Sequence, residues 1–287
     1  MSAAINTNSA SLVAQLNLST SKAAVMTSVQ RLSSGLRINS AADDAAGLAI
    51  ATRMNSQVKG MNVAIRNAND GISLSQTADG ALASVSDSLQ RMRELAVQAR
   101  NATNSNGDKD SLDKEFGELA KEVQRVLGGT TFNGQTILGT NAGAQDYQVG
   151  AGTSSNDLIT VTTTDMTSNA NITTVAGTDN TGAGRAKIDN TATTSSLGSV
   201  IDNIDRAIDA VTSERALYGA TQNRFNNVVN NLQIAAENQS TARGRIMDAD
   251  YASETAALSR ANILQQAGTA MLAQANQMPQ SVLQLLK

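Results

Sequence analysis

The chain has no cysteine, histidine or tryptophan, and Pro279 is the only proline in 287 residues. Each absence closes a route. Without cysteine there is no disulfide framework. Without histidine or cysteine the usual metal centres and covalent nucleophiles are missing, so neither an enzyme nor a bound cofactor is expected. Aromatic residues make up 2% of the chain, which excludes a core built on large rings. A formal net charge of −3 supplies no basic field for nucleic acid. No apolar run reaches the ~20 residues of a membrane span. Residues 1–10 are polar and lack the basic start and apolar centre of a cleaved secretory signal, so export would follow another route. The lack of interior proline is permissive, because nothing interrupts long helices.

Alanine, leucine, valine, isoleucine and methionine recur at helical spacing. From residue 252 onward they fall at Ala257, Ala261, Leu264, Gly268, Met271, Ala275, Met278, Val282 and Leu285, alternating steps of four and three. Between Arg260 and Lys287 there is no charged residue. A solvated surface helix carries charge on its outer face, so this one is expected to meet other helices on more than one side. Residues 1–42 mirror it, with no acidic side chain. Leu12, Leu16, Ala23 and Met26 form one stripe, and Leu18, Val25, Val29, Leu32 and Leu36 a second. The two ends are expected to pair, and to order fully only when copies surround them.

Gly35 marks a break, and Asp43-Asp44 suit the first turn of a long helix reaching Arg100. Its seam reads Met54, Val58, Met61, Ile65, Ala68 and Ile72, then Ala78, Leu82, Val85, Leu89, Met92, Ala96 and Ala99, with a phase shift near Ser75. Leu112, Phe116, Leu119, Val123 and Val126 give another helix closed by Gly128-Gly129. Asn133-Gly134 is a hairpin-turn signal, and residues 147–149 and 158–162 read as strands. Residues 163–196 read as a loop or small β-rich excursion. A third long seam runs from Leu197 through Ile204, Val211, Tyr218 and Phe225 to Ala236, with a flex point at Arg243-Gly244-Arg245. The fold class is mainly α: a long antiparallel helical hairpin or coiled-coil bundle with a small β-hairpin region in mid-chain.

Several stretches carry a resemblance. They include Ile5-Asn6-Thr7-Asn8, Arg31-Leu32-Ser33-Ser34-Gly35-Leu36-Arg37-Ile38-Asn39-Ser40-Ala41 and Asp43-Asp44-Ala45-Ala46-Gly47. Arg66-Asn67-Ala68-Asn69-Asp70-Gly71, Gln222-Asn223-Arg224-Phe225, Asp248-Ala249-Asp250-Tyr251 and Ile263-Leu264-Gln265-Gln266-Ala267-Gly268 extend it. In this order they resemble bacterial flagellin, the flagellar filament subunit, over nearly the whole chain. The resemblance implies residues 1–42 and 247–287 as two halves of an inner coiled-coil domain. It implies 43–175 and 197–246 as a helical rod domain with a β-hairpin, and 176–196 as a loop or vestigial outer domain. It implies a self-assembling structural subunit for swimming motility, located outside the cell and exported by a type III route without a cleaved signal. Leu12, Leu16, Val25, Val29, Leu264, Met271, Met278, Val282 and Leu285 are its candidate self-assembly residues. The implied partners are further copies in a helical homopolymer, an export chaperone, and hook-associated and cap proteins.

The segment around Leu89 also resembles the family stretch recognised by Toll-like receptor five of animal hosts. That resemblance implies Leu89, Gln90, Arg91, Leu95, Gln98 and Glu115 as contacts; the same residues read equally as helix core and solvated charge. The nearest alternative is a hook–filament junction protein of the same superfamily. A chemoreceptor-type cytoplasmic hairpin would place its most regular seam at a mid-chain tip, where this chain is β-rich.

Overall fold

The computed structural model describes residues 7–284, with side chains as far as Met278. In chain order come α1 (Ser9–Ser34), α2 (Ala45–Ala99), α3 (Asn106–Gly129), β1 (Thr131–Phe132), β2 (Gln135–Thr136), β3 (Ala144–Gln148), β4 (Leu158–Thr162), α4 (Ala170–Ala176), α5 (Thr194–Met247) and α6 (Tyr251–Gln284). The class expected from sequence is the one observed: long helices with small antiparallel sheets in mid-chain. The chain divides into two compact units. One takes both ends, up to Gln57 and from Glu237; the other is Val58–Ala236.

Local chemistry sets the helix ends. The Asn8 side chain accepts from the Ser11 amide and starts α1, and Gly35 ends it at φ 71°. At Asp43-Asp44 only the second residue caps α2, accepting from the Gly47 amide at 2.8 Å. Asp43 instead closes the preceding turn by accepting from the Asn39 and Ser40 amides. Ser105 and Asp108 form a reciprocal capping box at α3. The expected flex point at residues 243–245 does not occur. α5 continues to Met247, because one interior glycine costs a helix only ~1 kcal/mol. The break falls after it, where the Asp250 carboxylate accepts from the Ala252 amide and starts α6. The two connectors are stitched together: Arg37 N–H donates to Met247 O at 2.7 Å, and Ala249 N–H to Gly35 O at 2.9 Å.

In the Val58–Ala236 unit, α2 shows no phase shift. One seam of buried positions runs 61, 64, 68, 71, 75, 78, 82, 85, 89, 92, 96 and 99 without interruption, with 74, 86 and 95 buried beside it. The apparent shift arose because Gly71 and Ser75 occupy seam positions. Gly71 makes room for the ring of Phe225 on α5: a Cβ there would lie 2.6 Å from Phe225 Cζ. Ser75 satisfies its buried hydroxyl by donating to Gly71 O at 2.9 Å. α5 runs antiparallel to α2, tied by Arg215–Asp79 and Arg93–Asp205. α3 lies beside α2, joined by Arg91–Glu115. The aromatics are few but central: Phe116, Tyr218 and Phe225 are fully buried, and Tyr147 meets Phe225 edge-on at 5.5 Å. Burial pushes the Tyr218 hydroxyl up, with the Glu214 charge adding to it.

Residues 163–196, expected as a loop or small β-rich excursion, are packed and partly helical. Met166, Ile172, Val175, Ala176 and Ile188 enter the core, and residues 170–176 are helical. Three Asp-x-Thr triplets fold the polar chain between them. Asp165, Asp179 and Asp189 each accept from both the amide and the hydroxyl of the threonine two residues on. Asp113 on α3 pins the end of the segment. It takes two hydrogen bonds from the Arg185 guanidinium, and one from the Ile188 amide at 2.9 Å. Burial alone would push the Asp113 carboxyl up, but the Arg185 and Ile188 hydrogen bonds outweigh it and hold it below the usual carboxylate range. β1 and β2 form a hairpin through Asn133-Gly134 as expected, and β3 pairs with β4 from Gln148↔Leu158 to Ala144↔Thr162.

Two glycines in α2 should respond oppositely to alanine. Gly71→Ala forces a methyl into the Phe225 ring and is expected to cost ~1–3 kcal/mol. Gly80→Ala meets no atom within 4 Å and is expected to stabilise by ~0.5–1 kcal/mol. Urea melts followed by circular dichroism check both signs. The lowered Asp113 carboxyl gives a pH prediction. Its contribution is complete above the unfolded value of ~3.9 and is lost as pH falls through the lower folded value. Urea midpoints should drop across that acid window, and drop less in Asp113→Asn, which starts from lower stability.

Candidate assembly and recognition surfaces

Within the unit made by the two chain ends, α1 and α6 lie antiparallel. Asn8 Nδ2 donates to Ala275 O at 2.8 Å, Tyr251 Oη donates to Leu32 O at 3.2 Å, and Arg31 sits 3.7 Å from Glu254. The ends pair, as expected, through α1 and α6. The facing seam differs from the one read in sequence. On α6 the half-buried and buried positions are 254, 258, 261, 265, 268, 272 and 275; on α1 they are 11, 14, 18, 21, 25, 28 and 32. Ala261, Gly268 and Ala275 belong to both versions. The alternate positions are Leu258, Gln265 and Leu272 rather than Ala257, Leu264 and Met271. Serine, alanine and glycine fill much of the seam, so the backbones come close: a Cβ on Gly268 would sit 3.9 Å from Leu18 Cα.

The expected self-assembly residues therefore lie mostly outside this seam. Leu12, Leu16, Val29, Leu264, Met271 and Met278 are 49–68% exposed, whereas Val25 is half-buried against α6. Leu285 and the side chain of Val282 lie outside the described residues. Val13 lines the same surface and Ile263 is exposed elsewhere on α6; both were missed, because they stand off the regular seams. Their mark in the sequence was an apolar residue where a solvated helix would carry charge. A shallow cavity of about 510 Å³ runs along it, lined by Val13, Ala14, Asn17, Leu264, Gly268 and Met271 among others. No titratable group lines that cavity. Single exposed apolar side chains are ordinary; a continuous patch of them marks a docking surface.

A second surface lies where α2 meets α3. Arg91 holds Glu94 and Glu115, with N–O distances of 2.9 and 2.8 Å. The Glu94 hydrogen bond and then that of Glu115 raise the guanidinium pKa further above its ordinary value. Gln90 and Gln98 stand exposed nearby on α2, whereas Leu89 and Leu95 are fully buried. The structure thus separates the six expected recognition residues. Four face solvent, and two hold the helix in the core where a docking partner does not reach them. Among the described residues no group of three or more acidic side chains is placed to hold a metal ion. No described helix is long and apolar enough to cross a membrane. The surfaces offer burial and ion pairing.

Residues 5–142 match the model of the bacterial flagellin N-terminal helical region, and residues 201–286 that of the bacterial flagellin C-terminal helical region. The chain belongs to the flagellin family. It is 44% identical over 283 residues to a flagellin of Halalkalibacterium halodurans, covering 99% of both chains. It is 40% identical to one from Bacillus subtilis, covering 99% of each, and 42% identical to one from Xenorhabdus nematophila, covering all of both. The crystal structure of Bacillus cereus flagellin aligns with a TM-score of 0.48 at 34% identity, covering 58% of this chain and 88% of that one. A Vibrio parahaemolyticus chain assigned as a flagellar hook-associated protein gives 0.59 at 13% identity, covering 72% of this chain and all of the other. That last likeness is one of fold alone.

The division between seam and surface on α6 is testable in this flagellin. Ala261→Asp sets a charge in the buried seam and is expected to cost ~3 kcal/mol or more. Leu264→Asp, three residues on and 52% exposed, is expected to stay within ~0.5 kcal/mol. Limited proteolysis of α1 and α6, read beside thermal melts, measures both.

Proposed function

We infer that this chain is the structural subunit of a bacterial flagellar filament, an extracellular homopolymer that serves swimming. The observation that carries the mechanism is the sparsely charged apolar surface left on α1 and α6 after they pair, where Lys22 and Arg260 are the charges beside the exposed apolar side chains. Nine large side chains are involved: Leu12, Val13, Leu16, Met26, Val29, Ile263, Leu264, Met271 and Met278. They are 49–72% exposed, so covering all of them is worth roughly 10 kcal/mol gross at ~1.5–3 kcal/mol per fully buried side chain. Association costs ~4–15 kcal/mol. One such contact barely holds; a lattice in which each subunit is covered by several neighbours holds firmly. The surface suits assembly onto an existing end better than free pairing.

The finer assignments follow the same physics. The family resemblance supports an inner coiled-coil domain drawn from the two chain ends, up to residue 42 and from residue 247, and a rod domain drawn from 43–175 with 197–246. An export chaperone sheathes the apolar surface before assembly, and cap and hook-associated proteins meet it at the two filament ends. Export proceeds by a type III route without a cleaved signal. The chain catalyses no reaction on a substrate; its sequence, free of histidine and cysteine, fits that reading. Full-length identities of 40–44% to flagellins favour the filament subunit over a hook–filament junction protein.

A second role, recognition by Toll-like receptor five of animal hosts, draws on the exposed set Gln90, Arg91, Gln98 and Glu115. Leu89 and Leu95 act beneath it by fixing the helix. Arg91→Ala should lower a receptor reporter signal at unchanged stability, since surface changes stay within ~0.5 kcal/mol. Leu95→Ala should cost ~2–5 kcal/mol of stability. An unaltered signal from Arg91→Ala excludes the receptor role.

Seeded polymerisation tests the principal function. Deleting residues 253–287 should leave a soluble chain that adds to no seed. Leu264→Asp should block elongation while the subunit melts normally. Filaments of ordinary yield from either variant would refute the assembly surface.

A further inference from the structure

The Asn133-Gly134 turn belongs to neither surface, and its chemistry points elsewhere. Asn133 and Gly134 have φ values of 50° and 80° and form the two-residue connection of the β1–β2 hairpin. Both are exposed. The ladder that holds them is only two residue pairs long, Thr131↔Thr136 and Phe132↔Gln135. The base of the hairpin is anchored by the Ile137 N–H to Thr130 O hydrogen bond at 3.1 Å and by the buried Ile137 and Leu138, so it is the turn end, held by two residue pairs, that opens at little cost.

We propose that Asn133 is a site of self-modification, converting to aspartate and isoaspartate through attack by its own backbone. The Gly134 backbone nitrogen gives its proton to solvent and bonds to the side-chain amide carbon of Asn133. The amide nitrogen leaves as ammonia, and a five-membered imide remains. Water opens the imide at either carbonyl, giving a carboxyl on the original backbone or on one a methylene longer. One water enters and one ammonia departs, with no oxidant, reductant or enzyme. Glycine favours the attack because it has no Cβ to obstruct the nitrogen.

The sequence holds a second Asn-Gly pair, and the fold distinguishes the two. Asn106-Gly107 lies in the first turn of the 24-residue α3, behind the Ser105–Asp108 capping box. Its peptide must leave helical geometry and lose the cap before the nitrogen reaches the amide carbon. At Asn133 the attack needs only the short hairpin to open. The product also has a structural effect. Asn133 borders a cleft with Asp70 and Tyr147, so conversion adds a second carboxyl to that cleft. The isoaspartate form lengthens a turn that two positive φ angles keep tight.

The test uses the full-length chain, held folded at mildly alkaline pH and sampled over time by peptide mapping with mass spectrometry. Conversion at Asn133 should run at least ~10-fold faster than at Asn106, reflecting the cheaper local opening. In urea the two rates should converge, which separates the effect of structure from that of the neighbouring residues. A native ratio below tenfold, or one that survives unfolding, overturns the proposal.

Discussion

Close approach of helices along small-residue seams is the constraint on which the molecule depends. With 2% aromatics, large rings alone cannot fill its interior. It lets backbones come near one another instead, placing glycine, alanine and serine where a coiled coil would carry bulk. The α1–α6 pair does this with Ser11, Ser28, Ala261, Gly268 and Ala275. α2 does it at Gly71 and Ser75, where the space released admits one of the few phenylalanines. Narrow seams use little of a helix circumference, so large side chains are left over for the outside. The apolar surface available for assembly follows from how the subunit is packed within.

That economy also governs how legible the sequence is. Heptad spacing announced every long helix, and the uncharged stretch after Arg260 announced a surface that meets others. Periodicity could not say which of two adjacent stripes on α6 turns inward. Positions 261, 268 and 275 serve both, and the choice between 258/265/272 and 257/264/271 depends on what α1 presents. On α2 the seam was hidden by its own small residues: Gly71 and Ser75 read as interruptions because hydropathy scores a side chain and not the space it leaves. Residues 163–196 looked structureless for a related reason. Their order comes from Asp-x-Thr turns and the Asp113–Arg185 clamp, which are local and long-range polar bonds that hydrophobic patterning does not register.

The α2–α3 surface shows the same split between what a motif names and what a fold exposes. A run of matching residues suggests a continuous patch, yet a helix shows a partner only one side of itself. Leu89 and Leu95 complete the motif by lying beneath it, while Arg91 with Glu94 and Glu115 gives it charge. Residues joined in text thus divide between support and display.

The stitched connectors at residues 35–37 and 247–249 have a mechanical meaning. Each end helix meets the chain behind it through a short non-helical joint, and a joint standing free would swivel. Here the two are hydrogen-bonded across, Arg37 to Met247 and Ala249 to Gly35. Tension on either terminus is shared by both strands at the same level, much as a double-stitched hem resists a pull on one thread.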